Sequence, residues 1–159
     1  KGRGARHKIT LPGGRAILID ESYNANPASM RATLRSLGQA PASRRIAVLG
    51  SMKELGDFSL QFHKQLLDPI CEASVDHVIL VGQEMRPLAK DLVDARSLSP
   101  GTIPSLDHCD NPAEAIAALN DFGISHGDTI LIKGSNSIGL GALVSHFTRE
   151  NETFVRYKT

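Results

Sequence analysis

The chain has 159 residues, of which 41% are hydrophobic and 22% charged, with a formal net charge of +1. That length and apolar share suit one globular domain, residues 1–159, with a core of its own. A charge so near zero, with aromatics at 4% and no Trp, excludes a surface that holds nucleic acid by bulk electrostatics or by base stacking. No apolar run approaches the roughly 18 residues that a membrane-spanning helix needs.

In chain order, residues 8–11 read as an extra strand, turned by Pro12-Gly13-Gly14 into a strand over 15–20. Asn26-Pro27 then marks a helix start, with Asn as the cap and Pro in the first turn. Met30, Leu34 and Leu37 share one face of that helix. Strand 45–50 follows. Phe62, Leu66 and Ile70, with Leu67 and Cys71 beside them, predict one helix before strand 77–82. Met85, Leu88, Ala89 and Leu92 mark the next helix. Residues 102–106 are a weaker strand. Asn111-Pro112, with Glu114 close to capping-box position, opens a helix carrying Ile116, Leu119 and Phe122. Strand 129–133 precedes a helix with Leu140, Leu143, Val144 and Phe147, and residues 154–157 read as a short last strand.

Several of these strands are near-continuous apolar runs, as expected where helices cover both faces of a sheet. Repeated strand–helix alternation predicts an α/β fold, a Rossmann-like three-layer sandwich with a mostly parallel sheet. No repeat, low-complexity segment or linker divides it. Ligands of such sheets bind beyond the carboxyl ends of the strands, so the chemistry is expected in the segments that follow them.

After the first strand comes Asp20-Glu21-Ser22-Tyr23-Asn24-Ala25-Asn26-Pro27. Its carboxylates can accept from ribose hydroxyls, and the Tyr23 ring offers a flat face to a base; Asn26 alone could equally be only a helix cap. After the second strand comes Gly50-Ser51-Met52-Lys53-Glu54-Leu55-Gly56, and after the last Lys133-Gly134-Ser135-Asn136-Ser137. A lysine followed by glycine and hydroxyls at a helix start has anion-binding character, although Lys133 alone could be a lysine on an ordinary loop.

Other chemistries find little support. No phosphate-binding Gly-x-x-x-x-Gly-Lys-Ser/Thr is present, no Gly-x-Gly-x-x-Gly follows the first strand, and Gly139-x-Gly141 falls inside a predicted helix. His7, His63, His77, His108, His126 and His146 do not pair at metal-ligand spacing, adjacent His108-Cys109 being unable to close a zinc site alone, so no metal ligand is assigned. Cys71 and Cys109 match neither a disulfide framework nor a metal knuckle. Lys1-Gly2-Arg3 leads into no apolar signal region, and the chain lacks an initiator Met. A cytoplasmic piece of a longer polypeptide is the expectation.

Residues 20–30 (DESYNANPASM) closely resemble the signature of the MurF-type ligases of the Mur ligase family, which join D-alanyl-D-alanine to UDP-N-acetylmuramoyl-tripeptide in peptidoglycan synthesis. Residues 49–56 with His63 are similar to that family's Gly-Asp-Met-x-Glu-Leu-Gly…His segment. Residues 131–137 are similar to its late Lys-Gly-Ser block, and Lys1-Gly2-Arg3 to its entry into the C-terminal domain. The resemblance implies an ATP-dependent amide ligase using magnesium, of which this chain is the C-terminal domain. UDP-N-acetylmuramoyl-tripeptide and D-alanyl-D-alanine would be the substrates, and N-terminal and central domains of the same chain the partners.

It further implies an ATP-binding set of Arg3, Asp20, Glu21, Tyr23, Asn24 and Asn26, with Arg3 toward the γ-phosphate and Glu21 where the family usually has a ribose-binding Asp. Lys133, Ser135 and Ser137 would face the peptide substrates. Two positions depart from the pattern: Glu21 and Ser51 each stand where the family has Asp. Because the phosphate-handling loop is missing, the chain alone is expected to be inactive. Two alternatives stay open, namely a stand-alone nucleotide- or metabolite-binding module and the C-terminal domain of another Mur or folylpolyglutamate-type ligase.

Overall fold

The computed structural model describes residues 2–158, with side chains described as far as Arg149; Lys1 lies outside the described residues. A six-stranded sheet in the order β1-β2-β6-β3-β4-β5 forms the centre. Its strands are β1 (Ala5–Leu11), β2 (Gly14–Glu21), β3 (Arg44–Gly50), β4 (His77–Val81), β5 (Ser105–Cys109) and β6 (Asp128–Lys133). Only the edge strand β1 runs antiparallel, hairpinned onto β2; β2, β6, β3, β4 and β5 pair in parallel.

The helices are α1 (Pro27–Gln39), α2 (Ser59–Lys64), α3 (Leu67–Glu72), α4 (Arg86–Leu98), α5 (Pro112–Phe122) and α6 (Gly141–Lys158). Strand alternation divides the core into two layers. Ala47, Leu49, Val78, Leu80 and Leu131 face one layer, with Met30 and Leu34 of α1, Ile70 of α3 and Leu88 of α4. Ile46, Val48, Ile79, Val81, Ile130 and Ile132 face the other, with Leu119 of α5 and Leu143 and Phe147 of α6. Both layers are tightly buried, so trimming a wholly enclosed side chain such as Leu80 to Ala costs about 2–5 kcal/mol.

Helix α1 begins where a capping box forms: Ser29 N donates to Asn26 Oδ1 at 2.8 Å, and Asn26 N to Ser29 Oγ at 3.1 Å. It ends at Ala40, whose ψ of 143° is the extended geometry that the following Pro41 demands.

Four sequence expectations change. The helix expected around Phe62–Cys71 is two, α2 and α3, because Pro69 has no N–H to donate to the Gln65 carbonyl. The fifth strand occupies Ser105–Cys109 instead of 102–106; Pro104 cannot join the ladder, and Thr102 turns back to bond Ser99. Residues 154–157 are helical, continuing α6, and form no strand. Gly139 is left-handed at φ 82° after a short 3-10 turn over Asn136–Ile138, so α6 starts at Gly141 and does not include it.

Candidate functional site

At the carboxyl edge, the segments after β2 and β3 lead to α1 and α2, on the first core layer. The segment after β6, lying between them, leads to α6 on the opposite layer. Neighbouring connections that leave in opposite directions open a crevice at the strand ends, where α/β sheets bind ligands. Gly50 and Gly134 let the two backbones meet there: a Cβ on Gly134 would lie 3.0 Å from Gly50 Cα and 2.9 Å from Leu140 Cδ1. The three sequence-predicted loops therefore do converge.

Asp20 is 3% exposed, and its carboxylate is engaged within the chain. Gly2 N donates to Oδ2 at 3.0 Å, and Ser22 N and Oγ donate to Oδ1 at 3.0 and 2.6 Å. Together with Gly4 N donating to Asp20 O and Tyr23 N to Gly2 O, this stitches the leader segment against the octet. Gly2 must be glycine here. Its φ is +74°, and a Cβ would fall 2.8 Å from Tyr23 Cβ. The leader thus places Arg3 over the Tyr23 ring, guanidinium carbon 4.4 Å from the centroid, a cation–π contact on an exposed aromatic.

Lys133 ends β6 directly opposite Glu21 of β2. Its side chain is 4% exposed. It donates to the Asn24 carbonyl at 2.8 Å and stands 3.8 Å from Glu21 Oε2. Burial pushes its pKa down, and the Glu21 charge opposes that shift. Lys133 therefore grips the octet loop from below, while Glu21, Tyr23 and Asn24 remain open to solvent in part or in full. Asn26 is exposed, with its carbonyl oxygen occupied as the α1 cap.

Ser135 is also a tether. Its Oγ accepts from Lys53 N at 2.9 Å, and its own N–H bonds the Ser51 carbonyl at 3.3 Å. Ser137 is exposed on the short turn beyond. Ser51 is wholly buried; its N–H continues the β3–β4 pairing through Val81 O. Where the family pattern carries Asp, this small hydroxyl sits against Gly82, whose Cβ would strike Ser51 Oγ.

His63, wholly buried, closes the loop from the other side. Met52 N donates to its Nε2 at 2.9 Å, and its Nδ1 lies 2.7 Å from Ser59 O. This pair of bonds calls for a neutral ring with the proton on Nδ1. Burial lowers its pKa accordingly. Lys53 Nζ and Glu84 Oε1 pair at 2.5 Å, and the lysine holds Glu84 down at about 2. Both roles depend on three-dimensional neighbours that single-sequence patterns leave invisible. His63 was signalled only through its motif, and the Lys53–Glu84 pairing had no signal at all.

A cleft of about 320 Å³ lies beside the octet, lined by Gly2, Asp20, Ser22, Tyr23, Val144 and Ser145 among others. It joins one aromatic ring and one apolar wall to hydroxyls, a lining suited to a flat, partly polar group. Among the described residues no cluster of three or more His, Cys, Asp or Glu is placed to hold a metal ion. No helix of the described residues is long and apolar enough to cross a membrane.

Residues 7–136 match the family described as "Mur ligase, glutamate ligase domain". A UDP-N-acetylmuramoyl-tripeptide–D-alanyl-D-alanine ligase of Synechocystis sp. is 36% identical over 156 residues, covering 92% of this chain and 33% of that protein. The crystal structure of MurF from Acinetobacter baumannii superposes with a TM-score of 0.74 at 28% identity, over 94% of this chain and 30% of that one. MurF ligase of Thermotoga maritima, solved in complex with ADP, shares the fold with a TM-score of 0.69 at 23% identity, over 96% of this chain and 31% of that one. The chain therefore spans about a third of the length of the relatives it matches.

Proposed function

The chain belongs to the Mur ligase family, and from that premise we propose that it is the C-terminal domain of an ATP-dependent amide ligase, the enzyme that adds D-alanyl-D-alanine to UDP-N-acetylmuramoyl-tripeptide. The observation that carries this reading is the locked junction at the carboxyl edge. The octet loop and the 133–137 loop are joined by Lys133 to Asn24, and the 133–137 loop is joined to the 50–56 loop by Ser135 to Lys53. Rigid loops at a sheet edge, with a cleft beside them, make one fixed wall of a substrate site.

ATP, when bound, supplies the phosphoryl group that turns a carboxylate into a species an amine can attack. This chain's residues bind and orient. Glu21 and Asn24 face the ribose side, the Tyr23 ring and Val144 flank the base, and Arg3 extends toward the γ-phosphate. Asp20 and Asn26 support that nucleotide wall from within, one by fastening the leader and the other by capping α1. Ser137 faces the peptide substrates, with Lys133 and Ser135 fixing the backbone that presents it. The described side chains form no cluster suited to magnesium; N-terminal and central domains of the same polypeptide are proposed to hold the metal and most of the triphosphate. A cytoplasmic setting follows from a UDP-linked substrate and ATP.

The test is an assay of the full-length enzyme for phosphate release that requires both UDP-N-acetylmuramoyl-tripeptide and D-alanyl-D-alanine. The chain alone is expected to release none and to bind ATP weakly, since losing the triphosphate contacts costs several kcal/mol, at about 1.4 kcal/mol per tenfold. Dipeptide-dependent turnover by residues 1–159 alone, or low-micromolar ATP affinity by calorimetry, would refute this division of labour. Within the full enzyme, Glu21→Ala is expected to raise the ATP KM; an unchanged KM removes Glu21 from the ribose side.

A further inference from the structure

Among the described residues two non-glycines have left-handed backbones, Glu54 at φ 64° and Ser74 at φ 54°. Ser74 is explained by its place. It follows the last turn of α3, and its N–H bonds the Cys71 carbonyl, the usual left-handed termination of a helix. Glu54 terminates nothing. It sits in the loop between β3 and the 3-10 turn Gly56–Phe58, a conformation that disfavours a side chain with a Cβ. Strained residues persist only where the surroundings over-determine them.

Here they do. Ser51 N is held by Val81 O, Met52 N by His63 Nε2 and Lys53 N by Ser135 Oγ; a fourth bond fixes the Lys53 ammonium on Glu84. Three consecutive backbone N–H groups are thus fastened immediately before Glu54. Its own carboxylate is exposed and makes no hydrogen bond or ion pair with any described residue. The loop that carries it is pinned to the 133–137 loop at the crevice described above.

Resting on the proposed ligase function, we propose that Glu54 binds the ammonium group of the incoming amine substrate, and so selects a cationic primary amine at this edge of the crevice. A carboxylate without a fixed partner is the complementary charge for an ammonium. A backbone held in one left-handed conformation presents it without the entropy loss of ordering a loose loop.

The experiment uses the full-length enzyme and steady-state kinetics for D-alanyl-D-alanine and for ATP. Wild-type turnover with these substrates is measured first; its absence refutes the ligase reading itself, whatever Glu54 does. Given turnover, Glu54→Gln is expected to raise the dipeptide KM tenfold or more while the ATP KM stays within twofold, and Glu54→Asp to recover part of the loss. Glu54→Gly removes the carboxylate yet accepts the left-handed backbone. Its expected signature is the same KM defect in a protein whose Tm is not lowered. A dipeptide KM within twofold of wild type in both the Gln and Gly variants overturns the proposal. So does a parallel rise in both KM values.

Discussion

The two ends of the parallel strands are wired in opposite ways. At the amino ends, polar side chains satisfy one another. Arg44 Nε and Nη2 donate to the two Asp128 oxygens at 2.9 and 2.7 Å, Nη2 also reaches Gly123 O, and Ser125 N completes the Asp128 shell. The Arg44 guanidinium lies over one ring, Phe122, against which His77 also stacks at 4.1 Å. His77 reaches Asp107 and Ser105 at 3.0 and 2.7 Å. At the carboxyl ends the buried polar groups Asp20, Lys133, Ser135 and His63 each hold loop backbone. The side chains of Arg3, Tyr23, Asn24, Glu54 and Ser137 on those loops are exposed, and in the proposed function they are the ones that face a ligand. One end spends its polarity on closure of the fold, and the other on display.

Four substitutions or conditions test that contrast, from the largest effect on stability to the smallest. Asp128→Ala removes a buried carboxylate that accepts from Arg44 and from Ser125 N, and is expected to cost about 3 kcal/mol. Urea midpoints measure it, and a loss under about 1 kcal/mol would deny the amino end its anchoring role. In the full enzyme at a temperature where it stays folded, substrate KM values should not move. Asp20→Ala removes a buried acceptor of three hydrogen bonds and should cost about 2 kcal/mol. It should also raise the ATP KM, because the leader carrying Arg3 comes loose; unchanged kinetics would make Asp20 an ordinary fold residue.

Lys133→Met, of similar shape, leaves the Asn24 carbonyl unpaired, at about 1 kcal/mol. If the lysine positions the octet, the loss appears in the ATP KM, and Lys133→Arg rescues part of it. If it touches the peptide substrates, the dipeptide KM moves instead. The smallest effect is with pH. His63 and His77 both have lowered pKa values through burial, so as pH falls below about 6.5 the unfolded chain takes up protons before the folded one. Their contribution is complete above that pH and is lost as acid approaches the folded pKa values. His63→Gln should flatten this acid-side slope of thermal stability; an identical slope would remove His63 as a source.

Sheet and helices were legible because they rest on local pattern. Apolar runs such as 45–50 and 129–133 mark β3 and β6, and the asparagine caps before Pro27 and Pro112 mark α1 and α5. Two of the four shifts trace to prolines, with Pro69 splitting one expected helix and Pro104 delaying β5. The convergence of the candidate loops at one sheet edge was legible for the same reason, since they follow strand ends. The roles of individual residues were not. Lys133 meets Asn24 across 109 positions of sequence, and Lys53 meets Ser135 across 82. A lysine beside glycine and serine reads as a ligand group until the carbonyl it grips is known. Glu54 carried no signal in this respect, since a left-handed backbone is announced in sequence by Gly or Asn.

The strand that arrives last in the chain, β6, occupies the middle of the sheet, between β2 and β3. A nascent chain that has not yet delivered residues 128–133 has an open slot there, with β2 and β3 unpaired along their facing edges. Its closure is a long-range event of the kind that slows folding. The same insertion brings Lys133 under the octet and Ser135 beside Lys53. A chain that lacks β6 therefore lacks the junction of the three loops too, and the proposed ligand wall is assembled in the step that completes the fold.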